Sequence, residues 1–217
     1  MELTSEEKKI LSGISFDAEG IESGELNEAD EKLLMEMRAT LAYLKEKYPE
    51  YNFEITGCEP KSGTARDYDE WYYKALEIVR ESAFIAMAVE KDGQIEIRDD
   101  FYGEIIREEV TDKIRSILGP SIPVVKIDVS FWEYLGKEYS GELNADKVLK
   151  GKISAGNDIK IFLDGSGILG TEYENVVKKI EESFKKAGVI GDVYVVILKD
   201  KDSDFTKDRL YSESIYI

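Results

Sequence analysis

Apolar and polar residues follow two different periods within residues 83–130, and this stretch gives the clearest structural prediction of the chain. Apolar residues alternate on both sides of Asp92-Gly93, which predicts a β-hairpin because Asp-Gly supplies the positive φ angles of a two-residue turn. Three- and four-residue spacing over 101–118 then predicts a helix that ends at Gly119-Pro120. Alternation returns over 124–129, which predicts a strand.

The segments before this stretch show the same two periods. Residues 27–48 predict a helix with one apolar stripe, and the charged residues Glu36, Lys45, Glu46 and Lys47 are expected to lie mostly off it. Residues 51–57 alternate and predict a half-buried strand. Residues 71–79 fit either a strand or a helix, and a strand is favoured for the first part.

The C-terminal third predicts a β-α-β unit. Its two strands lie at 159–163 and 193–198, and between them a striped helix at 173–184 leads to Gly188. One or two helical turns are predicted at 144–149 and a last strand at 209–217. The predicted fold is therefore α+β, with a mixed or largely antiparallel sheet covered by about three principal helices.

The densest run of charge lies at 17–31, which holds seven acidic residues and no basic one. Gly20 and Gly24 discourage regular structure in its first half, so a solvated linker is favoured over a docking surface for a cationic partner. We expect an acidic N-terminal arm at 1–27 and a single compact domain at 28–217. The alternative is two lobes, residues 28–130 and 157–217, which are joined by residues 131–156.

Charge and composition narrow the classes of function. The chain has 46 acidic and 29 basic residues, a net charge of −17, which disfavours nucleic acid and raises the rate of encounter with basic partners. The same charge is also explained by solubility alone. The sequence contains no histidine, so a Ser-His or Cys-His nucleophile cannot form, and catalysis would have to use carboxylates, Lys, Tyr or an oxygen-bound metal. No cofactor is predicted.

Cysteine content and hydropathy bear on location. Cys58 is the only cysteine, so neither an internal disulfide nor a multi-cysteine zinc site can form. Apolar runs such as 193–198 are far shorter than the roughly 20 residues that span a bilayer. The polar start lacks the apolar core of a secretory signal, so a cytoplasmic location is predicted, with the cell surface as the alternative if a signal was removed.

Two local motifs have the spacing of ligand sites. Residues 165–170 fit G-x-G-x-x-G after a strand and before a helix, but Asp164 would place a negative charge beside a bound pyrophosphate, so a flexible turn is favoured. Four aspartates match positions 1, 3, 5 and 9 of a calcium loop. Phe205 replaces the glycine of position 6 and Tyr211 the glutamate of position 12, so a solvated turn is favoured here too. The four aspartates are Asp200, Asp202, Asp204 and Asp208.

The first functional hypothesis is a non-catalytic protein, such as an inhibitor, an immunity-type protein or an adaptor, that engages a basic protein partner. One alternative is a carboxylate-based hydrolase that acts on glycans with two acids in a cleft lined by Trp71, Trp132 and the tyrosines. The other alternative is a surface ligand-binding module. An aromatic cluster at residues 68–73 is interpreted as core in preference to a stacking platform. The predicted partner-binding residues are Asp17, Glu19, Glu22, Glu25, Trp132 and Tyr134.

Overall fold

Each half of the chain is built around its own four-stranded sheet in the computed structural model, which describes residues 2–79, 81–132, 143–153 and 155–217. Contacts divide the chain into a first unit, Met1–Asp100, and a second unit, Phe101–Ile217. The described residues form six α-helices and eight strands, which confirms the predicted α+β fold. The predicted arm and domain boundaries stay predictions. No helix in the described ranges is long and apolar enough to cross a membrane.

Three helices begin the first unit: α1 (Ser5–Ser12), α2 (Ala18–Ser23) and α3 (Glu28–Lys47). Thr4 and Glu7 form a capping box at the start of α1, and the Asn27 side chain caps α3, as expected for these residues at helix starts. The irregular linker expected in the acidic run is wrong in its first half. The Asp17 side chain caps α2 there, and Gly24 ends the helix with a φ of 81°.

The sheet of the first unit is an antiparallel meander in the order β1 (Phe53–Glu59), β2 (Asp69–Ala75), β3 (Phe84–Lys91) and β4 (Gln94–Asp99). The ambiguous stretch at 71–79 is a strand in its first part, as favoured. The hairpin is confirmed, because Asp92 and Gly93 turn β3 into β4 with φ angles of 54° and 75°.

One face of this sheet packs against helices α1 and α3. Its pleat places the largest buried side chains on that face, among them Trp71, Tyr73 and Phe84. Ala86 and Ala88 of β3 also lie on this face, in register with Trp71 and Asp69 of β2. Helix α3, which packs against this sheet, has polar residues among its buried side chains.

The elements of the second unit are α4 (Phe101–Leu118), β5 (Val124–Phe131), α5 (Ala145–Leu149), β6 (Asn157–Asp164), α6 (Tyr173–Ala187), β7 (Asp192–Leu198) and β8 (Arg209–Tyr216). The strands form a mixed sheet in the order β5-β6-β7-β8. Strands β6 and β7 are parallel and the other pairs are antiparallel, so β6, α6 and β7 form the predicted β-α-β unit. The five-residue helix α5 confirms the helical turns predicted at 144–149.

The sheet of the second unit buries apolar residues on both faces. On one face α6 buries Val177, Ile180 and Phe184, and its Tyr173 contacts Tyr211 of β8. The opposite face carries a second, smaller cluster, since alternate residues of β6 and β7 point there. Phe205, from the turn before β8, covers this cluster, which consists of Phe162, Val196 and Leu198.

Candidate functional site

Exposed carboxylates surround helix α2 in the first unit. Glu19, Glu22 and Glu25 are exposed, and Lys8 forms a 3.8 Å ion pair with Glu22. Asp17 has a different role, because its carboxylate accepts hydrogen bonds from the Gly20 amide and from the Asn27 side chain. Three of the four predicted acids of this segment are therefore presented to solvent, and the fourth holds the local structure together.

Phe16 is the most exposed large apolar residue of this segment. Its side chain is 106% exposed, and it directly precedes Asp17. Sequence reasoning did not select Phe16. The available signal is that no apolar residue lies three or four positions before or after it, so no helical face could bury it. An exposed phenylalanine beside carboxylates is an arrangement found in protein interfaces, where an aromatic residue at the centre is surrounded by a polar rim.

The negative charge is unequally divided between the two units. Residues 1–100 contain 25 acidic and 12 basic residues, whereas residues 101–217 contain 21 and 17, so the units carry −13 and −4. The negative potential is thus centred on the first unit, which also carries Phe16.

Trp132, a predicted contact residue, belongs to the second unit. Its side chain is 71% exposed, and its backbone N–H donates a 3.0 Å hydrogen bond to the Gly156 carbonyl. Gly156 has a φ of 56°, and a Cβ there would lie 2.8 Å from the Trp132 Cβ, so this close approach requires glycine. Tyr134, the other predicted aromatic contact, lies outside the described residues.

Residues 166–168 of the G-x-G-x-x-G segment line a cleft of about 700 Å³ in the second unit. A Cβ on Gly165 would lie 2.2 Å from the Leu198 carbonyl oxygen, whereas Gly167 faces open space. The Asp164 carboxylate accepts the Ser166 amide at 2.9 Å, and hydrogen bonds from Ser166 hold the pKa of Asp164 below its usual value. The ionised Asp164 carboxylate thus already accepts the hydrogen bond of a loop amide N–H that a bound phosphate would need.

Three of the four aspartates of the calcium-like motif accept hydrogen bonds from their own loop. Asp200 accepts hydrogen bonds from the Asp202 amide and the Ser203 hydroxyl, and Asp208 accepts the Asp204 amide. Asp204 in turn accepts the amides of residues 206 and 207. No group of three or more potential metal ligands converges anywhere in the described ranges. These carboxylates shape the turn from which Phe205 covers the second cluster.

Most aromatic residues of the cluster at 68–73 either are buried in the core of the first unit or form hydrogen bonds at its surface. Trp71 and Tyr73 have no exposed surface, so the core interpretation is correct for both. Tyr72 is half-buried on the other face of the sheet and donates a hydrogen bond to Glu59 at 3.1 Å. Because Trp71 is buried, it cannot line the cleft that the hydrolase hypothesis expected.

Asp99 is a buried carboxylate with three donors. The hydroxyls of Tyr43 and Tyr48 donate to it at 2.7 and 2.8 Å, and the Lys47 ammonium lies 3.1 Å away. Burial, followed by the negative charge of Asp99, raises the pKa of Tyr43, so this phenol stays protonated and continues to donate. Burial lowers the pKa of Lys47, and Asp99 opposes that change. The cluster is a satisfied ionic network.

Glu36 and Asp69 form a second buried acidic site with few donors. Glu36 has no exposed surface, and Asp69 is 4% exposed. The expectation that Glu36 lies off the buried stripe is wrong, because the side chain enters the core at the edge of α3. Asp69 and the Trp71 indole lie beside Glu36, but an ionised carboxylate offers Glu36 no donor, and the indole N–H makes no hydrogen bond with it. Both Glu36 oxygens and Trp71 Nε1 are therefore left without partners in the described structure.

Cys58 lies near this acidic pair and has no disulfide partner in the chain. Burial raises the pKa of its thiol, and the negative charges of Asp69 and Glu36 raise it further. A thiol in this environment stays protonated at neutral pH and is a poor nucleophile.

Comparison with known proteins adds no relative, because no family model, curated protein or solved structure matches the chain.

Proposed function

We propose that this protein is a non-catalytic binding protein, of the inhibitor, immunity or adaptor kind, whose acidic first unit engages a basic protein partner. The observation that supports it most is the full exposure of Phe16 next to helix α2, whose acids Glu19 and Glu22 are also exposed. The proposal places the protein in the cytoplasm and gives it no role with nucleic acid.

The charge of the first unit favours this class of partner. A net charge of −13 over 100 residues accelerates the approach of a cationic surface and repels phosphate backbones. Charged rims chiefly determine association rate and salt dependence, whereas a buried aromatic anchor slows dissociation. Phe16 is the proposed anchor, and Glu19, Glu22 and Glu25 form the proposed rim.

The buried position of the polar clusters favours binding over catalysis. Asp99 is saturated by its donors, and Glu36 has no exposed surface through which a substrate could reach it. The Cys58 thiol stays protonated, and the chain lacks histidine.

The test is an affinity capture with the tagged protein at low and high salt, followed by measurement of the dissociation constant for the captured protein. Neutralising Glu19, Glu22 and Glu25 to Gln together is expected to weaken binding roughly tenfold and to flatten its salt dependence. The matched control neutralises three other exposed acids of the same unit, Glu46, Glu50 and Glu54. Equal weakening by both triple variants would contradict the proposed surface.

A second pair of variants tests the anchor. Phe16→Ala is expected to accelerate dissociation, whereas Val79→Ala, at a 105% exposed site of the same unit, is expected to leave it unchanged. Failure to recover any basic partner that is released by salt would reject the proposed function.

The cleft in the second unit favours a second candidate, the ligand-binding module. Its volume of about 700 Å³ falls in the range of small-molecule sites, and its walls carry both Lys179 and Asp164. A screen of polar ligands by thermal shift tests this candidate. A true ligand of the cleft is expected to lose its effect when Val176 in the wall is changed to Trp.

A further inference from the structure

The two buried acidic sites of the first unit differ in how their charge is satisfied. Asp99 receives hydrogen bonds from two tyrosine hydroxyls and from an ammonium group. Glu36 lies beside another carboxyl group, that of Asp69, and neither of its oxygens has a hydrogen-bond partner in the described structure. Two carboxylates enclosed together cannot both be charged without a large free-energy cost.

Few positive charges face the pair. On α3 itself, Lys32 is engaged by Glu90 of β3, which neutralises much of its effect. β1 contributes the neutral Cys58 thiol, and the segment between β1 and β2 contributes Lys61, whose ammonium lies 3.7 Å from Asp69. The remaining elements against α3 bring groups that are already paired. These are Glu7 of α1 with Arg38, and Asp99 of β4 with Lys47.

We propose that Glu36 and Asp69 share one proton, and that loss of this proton loosens the 60–68 segment from the core of the first unit. The pair is thereby a pH-sensitive device that links a buried helix residue to an exposed loop. This proposal is independent of the partner-binding function.

Asp69 is the direct connection between the pair and the loop. Its Oδ1 accepts the backbone N–H of Lys61 at 2.6 Å, so the carboxylate fastens the start of the loop. Glu36 lies in the middle of a 20-residue helix, whereas Asp69 is the first residue of β2. Asp69 can therefore move more easily than Glu36, and its movement relieves the repulsion between the two ionised carboxylates. The ion pairs that Arg66 forms with Glu59 and Glu70 limit how far the loop can move away from the sheet.

The direction of the titration supports this arrangement. Burial first, and then the adjacent Asp69, raise the pKa of Glu36 from 4.5 to about 7. Below pH 4.5 the side chain is protonated in both the folded and the unfolded chain, and its stabilising contribution is complete. Between pH 4.5 and about 7 only the folded chain keeps the proton, so stability falls as pH rises, and the contribution is lost above that range.

The experiment measures the unfolding equilibrium of the full chain from below pH 4.5 to above pH 7. For the wild type, loss of the Glu36 proton as the pH rises is expected to raise the unfolding constant by up to about tenfold per pH unit within this window. Glu36→Gln resembles the protonated form permanently and is expected to remove this slope. Glu46→Gln, at an exposed site of the same helix, is expected to keep it. Equal slopes for wild type and Glu36→Gln would overturn the proposal.

A direct titration remains decisive if Glu36→Gln does not fold. The side-chain carboxyl ¹³C signal of Glu36 in the wild type is expected to titrate near neutral pH. The hydrogen-exchange protection of the Lys61 amide is expected to fall over the same range. A Glu36 midpoint below about pH 5, or Lys61 protection that is independent of pH, would overturn the shared proton or its link to the loop, respectively.

Discussion

The Tyr48 hydroxyl donates a 2.8 Å hydrogen bond to Asp99 Oδ1, in a position where neither residue is appreciably exposed. Tyr48 is the C-cap residue that directly follows helix α3, and Asp99 is the last residue of β4. The contact therefore fastens the end of the longest helix of the first unit to the edge of its sheet. It also meets part of the hydrogen-bonding capacity of an ionised carboxylate in the core.

Replacing Tyr48 with Phe is expected to destabilise the chain by about 1.5–3 kcal/mol, because the change removes a hydrogen bond to a buried charge. Chemical denaturation measures the loss. The matched control is Tyr216→Phe, at a site that is 77% exposed, and its free energy of unfolding should equal that of the wild type. A loss of the same size in both variants would show that the hydroxyl of Tyr48 has no special role.

Asn157 is expected to be a stabilising residue of the second unit. Its side-chain amide is buried and donates to the carbonyls of Val148 and Ile190, at 3.1 and 2.8 Å. Asn157→Ala leaves both carbonyls without this donor, so a loss of about 2–4 kcal/mol is expected. Thermal and urea unfolding measure it. Asn175→Ala at an exposed helical site serves as the control, and an unchanged stability for Asn157→Ala would contradict the role.

Two glycines of one loop are expected to respond oppositely to alanine. At Gly165 a Cβ would collide with the Leu198 carbonyl oxygen at 2.2 Å, so Gly165→Ala should cost about 1–3 kcal/mol. At Gly167 no atom lies within 4 Å, so Gly167→Ala should be neutral or stabilising by up to about 1 kcal/mol. Melting temperatures of the two variants give the comparison. Equal effects would mean that the loop packs differently against β7.

Phe205 is expected to stabilise the smaller cluster of the second unit. Its ring lies 4.9 Å from that of Phe162, and the Lys126 ammonium lies 5.2 Å from the Phe205 ring. Because the side chain is only half-buried, Phe205→Ala should cost about 1–2 kcal/mol, below the value for a fully buried ring. Leu169→Ala, at a 68% exposed site, is the control for loss of apolar surface. No difference between the two would argue against a packed cluster.

Periodicity predicted most elements, because burial of an apolar face repeats with the geometry of the element. Helix α6 and the parallel strands on either side of it follow directly from spacing. The structure of the acidic run at 17–31 was harder to predict, because two glycines and many charges are unfavourable for regular structure. The deciding interactions are single hydrogen bonds, such as the one from the Gly20 amide to Asp17, and these leave little trace in hydropathy.

The candidate surface was predicted in part. The exposed acids Glu19, Glu22 and Glu25 were selected because charge favours solvent, whereas Phe16 was missed because an apolar residue is expected to be buried. Glu36 was misplaced for the converse reason, since a charged residue at the edge of a helical stripe is expected to face water. Only its neighbours, which come from β2, reveal that it is enclosed.

The sequence by itself determined the α+β class, the hairpin turn at Asp92-Gly93 and the absence of histidine chemistry, since each depends on local spacing or on composition. The tertiary structure alone decided which polar side chains share a buried space. Glu36 and Asp69 are 33 positions apart, and Tyr48 and Asp99 are 51 apart. The free energy of such pairs depends on distance and solvent exclusion, and both are properties of the packed chain.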